Sequence, residues 1–148
     1  MKYLVAVDGS ESSMDALATA LETAEATGAS VVALHVVVPE LTFIGDDEAP
    51  TSFAEASEEL LDDATDAEER GQRTLERAQE RAEESGIDLE TGLLYGEPVE
   101  AIVEYADAND VDVIYIGHRG LSERFEGLLG STAKEVVGRA TVPVTVVR

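Results

Sequence analysis

Cysteine is missing from all 148 positions of this chain. Without it there is no disulfide framework, no thiolate nucleophile and no cysteine-ligated zinc, so redox chemistry by the polypeptide itself is excluded. Long apolar runs are missing too: the opening MKYLVAVDGS breaks at Asp8-Gly9 after a stretch too short for a membrane span or a signal peptide. A soluble, cytoplasmic protein is the expectation. No repeat, low-complexity tract or linker interrupts the chain, so one domain, 1–148, is expected, large enough to bury a core without metals or crosslinks.

Positive charge is the next scarcity. Ten lysines and arginines face 32 acids, the formal net charge is −22, and Lys2 and Lys134 are the only lysines. Such a field repels nucleic acid and anionic membranes, which excludes both as partners. Strongly acidic chains are often disordered, but 44% of these residues are hydrophobic and they fall in periodic blocks, so a folded domain is predicted. Acids concentrated at water-facing helix positions suggest a salt-rich, halophile-like cytoplasm in which counter-ions screen self-repulsion.

The blocks alternate in type. Tyr3 to Val7 reads as a buried strand ending in the turn Asp8-Gly9-Ser10. A helix follows with Met14, Leu17, Ala18 and Leu21 on one face, Ser12 and Asp15 as its capping box and Gly28 as its close. Val31 to Val38 is a second strand, and Leu41 to Thr51, with its glycine, proline and three successive acids, reads as an exposed mobile loop. A long helix from Phe53 to Glu84 carries acids and arginines spaced for i,i+4 pairs and ends at Gly86. Leu89 to Leu94 is a weaker strand; Gly96-Glu97-Pro98 opens a helix with Val99, Ile102, Val103 and Ala106 inward. Val111 to Ile116, Ser131 to Arg139 and Val144 to Val147 complete the series as strand, helix and strand.

Apolar strands alternating with helices predict an α/β fold: a five-stranded parallel open sheet covered by helices on both faces, flavodoxin-like or Rossmann-like, in the order 3-2-1-4-5. Ligands of such sheets bind beyond the C-terminal strand ends, where Asp8-Gly9-Ser10, Val36 to Pro39 and Gly117 to Gly120 converge. The segment GHRGLSERFEGLLGST, Gly117 to Thr132, is the strongest chemical signal there. Its glycines let backbone N–H groups approach an anion, and a helix opening at Gly130-Ser131 adds the positive end of its dipole. That pattern points to phosphate and so to a nucleotide.

The spacing Gly117-x-x-Gly120, nine residues, Gly130-Ser131 resembles the signature of ATP-binding universal stress proteins. The likeness extends to Asp8-Gly9-Ser10, Leu34-His35-Val36, Gly96-Glu97-Pro98 and the ending Val142-Pro143-Val144-x-Val146-Val147. The resemblance implies a parallel α/β domain that forms a homodimer through the final strand, Val142 to Arg148, and binds ATP, AMP or ADP with Mg²⁺ or Mn²⁺. It implies that Asp8 holds the metal; the local sequence equally allows an Asx turn or helix cap. It implies that Val36 reads adenine through its backbone, with Ala6 and Val7 lining the slot, positions that otherwise read as core. Ile116, Gly117 and Gly120 would wrap ribose and phosphates, although a glycine pair at a strand end is more often a turn. Gly130, Ser131 and Thr132 would receive phosphate at the helix start, where a plain serine cap is the alternative. Arg119 would meet phosphate or neutralise a carboxylate, and His118, at a variable position, would face solvent.

Other nucleotide folds do not fit. No Gly-Lys-Ser/Thr follows the glycines, so there is no Walker loop, and Asp8-Gly9-Ser10 stands where a dinucleotide fold needs Gly-x-Gly-x-x-Gly. A response regulator would need an aspartate where Leu94-Tyr95-Gly96 stands. No dedicated catalytic base is evident, so the leading expectation is a nucleotide-dependent dimeric stress-response module. The alternatives are a slow ATPase or self-phosphorylating enzyme with Ser131 or Ser122 as acceptor, and a nucleotide-free dimerisation module.

Overall fold

The computed structural model describes residues 1–38, 53–120 and 129–148, with residues 53–65 through their helical backbone alone. The segment Leu41 to Thr51 and Ser122 lie outside the described residues. The elements run β1 (Lys2–Ala6), α1 (Glu11–Thr27), β2 (Ser30–Val37), α2 (Phe53–Glu84), β3 (Leu89–Tyr95), α3 (Pro98–Ala108), β4 (Val113–Gly117), α4 (Ser131–Arg139) and β5 (Val144–Val147). All four strand pairings are parallel, in the order β3-β2-β1-β4-β5. This is the flavodoxin-like order expected from the alternation of apolar strands and helices.

The central strands have apolar residues on both faces because helices cover both. Tyr3, Val5, Val31 and Ala33 join Leu17, Ala20 and Leu21 of α1 and Leu75, Ala78 and Ala82 of α2 in one core. Leu4, Val32 and Ile114 join Val99 and Ile102 of α3 and Ala133 and Val136 of α4 in the other. Leu4, Leu17, Leu34 and Ile114 are fully buried, each contributing about 1.5–3 kcal/mol by leaving water. The inward face of α1 is shifted from the expected one: Ala16, Leu17, Ala20, Leu21 and Ala24 are buried, whereas Met14 and Ala18 are half-buried. Small alanines let that helix lie close on the sheet. No helix among the described residues is long and apolar enough to cross a membrane.

Two local expectations are corrected. The cap of α1 is Ser10, not Ser12 with Asp15: Ser10 has extended backbone and its Oγ accepts from the Ser13 N–H at 3.1 Å. The helix starts at Glu11, which places Ser12 inside the first turn with its hydroxyl free to serve the sheet. Along α2 the expected i,i+4 pairs Asp66–Arg70 and Glu69–Arg73 do not form; the one ion pair among the described residues is Lys2–Glu90 at 3.8 Å. Water-exposed pairs gain little from closing, and these arginines are exposed.

Candidate functional site

The end of β1 sets one wall of the site. Asp8 bends the chain by accepting the Ser10 N–H on Oδ1 at 2.9 Å, the Asx turn that its sequence allowed, and its own N–H donates to Ser13 Oγ at 3.3 Å. Gly9 makes the turn with φ +90°, a conformation that side chains strain. The second carboxylate oxygen of Asp8 lies against Gly120, where a methyl group would come within 2.9 Å of Oδ2. Residues 112 positions apart in sequence thus meet across the sheet edge.

The end of β4 forms the opposite wall. His118 continues the ladder, its N–H donating to Val147 O at 2.9 Å, and its carbonyl accepts from the Gly130 N–H at 2.5 Å. This second bond joins the two ends of the glycine segment. Gly130 then serves as the N-cap of α4 with extended backbone, and Lys134 N–H closes the first turn on Gly130 O at 3.1 Å. The first-turn N–H groups of Thr132 and Ala133 have no carbonyl one turn earlier within the helix, which makes this end attractive to an anion. Ser131 and Thr132 are exposed there, and Gly130 is buried.

His118 does not face solvent as expected. Its Nδ1 lies 3.2 Å from both Ser12 Oγ and Val147 O, so the ring is held between α1 and β5. Ser12 Oγ also accepts from the Arg119 N–H at 3.4 Å. These bonds require α1 to lie very close to β4 at Gly117. A methyl group there would sit 2.6 Å from the Ser12 carbonyl carbon and 2.7 Å from its oxygen. Gly117 is therefore a packing requirement of the fold before it is a feature of the loop.

All eleven residues expected at the site, Ala6, Val7, Asp8, Val36, Ile116, Gly117, Arg119, Gly120, Gly130, Ser131 and Thr132, line one cavity of about 730 Å³ at the C-terminal edge of the sheet. Ala6 and Val36 are half-buried and so offer surface to a ligand, whereas Val7 and Ile116 are core residues that close the floor. The volume falls within the range of small-molecule sites. Among the lining positions that were not expected are three arginines of α2, Arg70, Arg73 and Arg77. With Arg119 they bring four cationic side chains to the cavity, against one acid, Asp8, among the described residues. Their spacing placed them on one helical face, but the sequence carried no signal of where that face points. His35 joins the lining, fixed by an Nδ1 contact of 2.8 Å to Val7 O.

A divalent cation has a limited set of protein donors here. Among the described residues no three histidine, aspartate or glutamate side chains gather as ligands, so Asp8 is the single carboxylate available. That fits Mg²⁺, which keeps several waters and takes one or two carboxylates together with phosphate oxygens.

Comparison with known proteins gives a consistent picture. The family model described as "Universal stress protein family" matches residues 1–148. Universal stress protein YxiE of Bacillus subtilis is 34% identical over 148 residues, covering 99% of this chain and 98% of its own. Universal stress protein UspA from Lactobacillus plantarum superposes with a TM-score of 0.78 at 28% identity, covering 100% of this chain and 97% of that one. A universal stress protein in complex with cAMP gives 0.71 at 29% identity, covering 100% and 97%. The universal stress protein from Archaeoglobus fulgidus in complex with dAMP gives 0.65 at 28%, covering 100% and 98%.

Proposed function

We propose a function on one premise, that the chain belongs to the universal stress protein family: it binds an adenine nucleotide, ATP in its fullest form, and acts in the cytoplasm as a homodimeric stress-response module. Bound nucleotide selects its conformation or its partner. The observation that carries this reading is the meeting of the glycine segment, the α4 N-terminus, Asp8 and Val36 around one cavity. The relatives in complex with cAMP and dAMP support an adenine nucleotide as the ligand.

In this reading the phosphates lie on Gly120, Gly130 and the first turn of α4, with Arg119 pairing one oxygen. Adenine lies over Ala6 and against the backbone of Val36. Asp8 holds Mg²⁺ or Mn²⁺, with phosphate oxygens and water completing its shell. Dimerisation uses Val142 to Arg148: β5 is a sheet edge paired only with β4 among the described residues, and half-buried Val144 and Val146 leave apolar surface for a second copy.

Calorimetry on nucleotide-stripped protein in high salt tests the reading. ATP or AMP should bind the parent, and Gly130→Val should lose about tenfold or more in affinity, which is about 1.4 kcal/mol. Equal affinity in parent and variant refutes the phosphate site. A monomer by light scattering in the same buffer refutes the dimer.

A further inference from the structure

The three arginines of α2 are not accounted for by a mononucleotide. Arg70, Arg73 and Arg77 follow at i, i+3 and i+7, so like charges stack along one helical face, an arrangement that destabilises a helix. Asp66, Glu69, Glu76 and Glu80 share the helix, yet none pairs with these guanidinium groups, and Glu68 accepts instead from the Tyr95 hydroxyl at 2.7 Å. In a chain of net charge −22, three arginines that line one cavity together with Arg119, against Asp8 alone among the described lining acids, mark a place for an anion from outside.

That place is separate from the glycine segment. Helix α2 packs on β2 and β3 with α1, whereas α4 lies over β5 beside α3 on the other face. The arginine row and the N-terminus of α4 therefore lie over opposite faces of the sheet edge. The arginine row is anchored at the near lip, where a methyl group on Gly9 would lie 3.1 Å from Thr74 Oγ1, between Arg73 and Arg77. A mononucleotide with its phosphate at α4 and its base at Val36 carries no charge to that lip.

We infer that the arginine row of α2 is a second anion subsite, and that the cavity takes an adenine nucleotide bearing a second phosphate group remote from the first. This rests on the nucleotide reading above. The shared chemistry is two phosphate centres separated by a nucleoside; a 3′,5′-bisphosphate or a dinucleotide supplies it, whereas ATP carries all its phosphates at one end.

Calorimetry at one fixed high salt concentration, with AMP, ATP, adenosine 3′,5′-bisphosphate and diadenosine tetraphosphate, tests it on the full chain. The parent should bind the bisphosphate or the dinucleotide about tenfold or more tighter than AMP, and whichever shows the gain identifies the source. The triple variant R70Q/R73Q/R77Q should lose that gain while AMP affinity changes less than about threefold. R70K/R73K/R77K should keep most of it. These positions are exposed, and matching circular dichroism and melting curves report that the variants fold. A parent that binds AMP and ATP but shows no preference overturns this inference and leaves the nucleotide reading standing. So does a triple variant that weakens all four ligands by one factor, since that is a diffuse field effect. A parent that binds none of the four overturns the nucleotide reading itself.

Discussion

Replacing Gly117 by alanine separates two physical explanations of one glycine. Its backbone is not left-handed, so a methyl group placed in open space would stabilise the protein by about 0.4–1 kcal/mol through the unfolded chain. The space is not open: the methyl would meet Ser12 Oγ and come within 2.6 Å and 2.7 Å of the Ser12 carbonyl atoms. Two of those atoms are helix backbone, so α1 must lift from β4, and overpacking of that kind costs about 1–3 kcal/mol or more. The sign of the change therefore reports which term wins. We expect ligand-free G117A to be less stable by about 1–2 kcal/mol, a melting point lower by roughly 3–6 °C for a chain of this length. Thermal and urea unfolding of stripped protein at one concentration and high salt measure it. S12A removes the hydroxyl but not the backbone atoms and forfeits its contacts with His118 and Arg119, so S12A/G117A should not regain parental stability. G117A melting at or above the parent, or full rescue by S12A, refutes the packing argument and leaves Gly117 as a ligand contact alone.

Gly71→Ala should destabilise although alanine is the better helix former by about 1 kcal/mol, because its methyl would lie 2.6 Å from His35 Cδ2 and 2.9 Å from Leu93 Cδ1; urea unfolding checks the sign. Glu97 caps α3 by accepting the Val99 and Glu100 N–H groups at 3.2 Å and 2.7 Å, so E97A should cost about 1 kcal/mol in the same assay and E97D less. The hydroxyl of Tyr95 titrates above its usual value because it donates to the Glu68 carboxylate, the charge of Glu68 adding to the effect. Absorbance titration of parent minus Y95F should show that raised value, and E68Q should bring it down; an unchanged curve in E68Q removes Glu68 as the cause.

Periodicity and punctuation made the architecture legible. Continuous apolar strands required helices on both faces, and Gly28 and Gly86 end α1 and α2 as left-handed turns. The order β3-β2-β1-β4-β5 then followed from right-handed crossovers. That the eleven candidate residues share one cavity was legible because every one lies within a few residues of a strand end or the α4 start. What remained hidden depended on distance between helices. Gly117 read as a loop glycine because nothing local shows that Ser12 presses on it. Gly71 read as one more position in a long helix, although the His35 ring lies against it. Ser12 with Asp15 read as the capping box, and only the position of Glu11 at the helix start shows that Ser10 is the cap. The arginine row was visible as a helical face, but a helix with a narrow apolar stripe can turn several faces toward a cavity. Scarcity was the available signal: in so acidic a chain, three arginines on one helical face stand apart, even with Asp66, Glu69 and Glu80 spaced to pair with them.

His118 ties the cavity to the margin of the sheet. Its N–H and ring bind Val147, its carbonyl binds Gly130, and its ring also reaches Ser12. Fraying of β5 therefore removes two of the contacts that hold His118 where its carbonyl meets the cap of α4. The two should open as one unit, so the amides of His118 and Gly130 should exchange with solvent at a common rate. Whatever grips β5 from outside holds the first turn of α4 with the same hand.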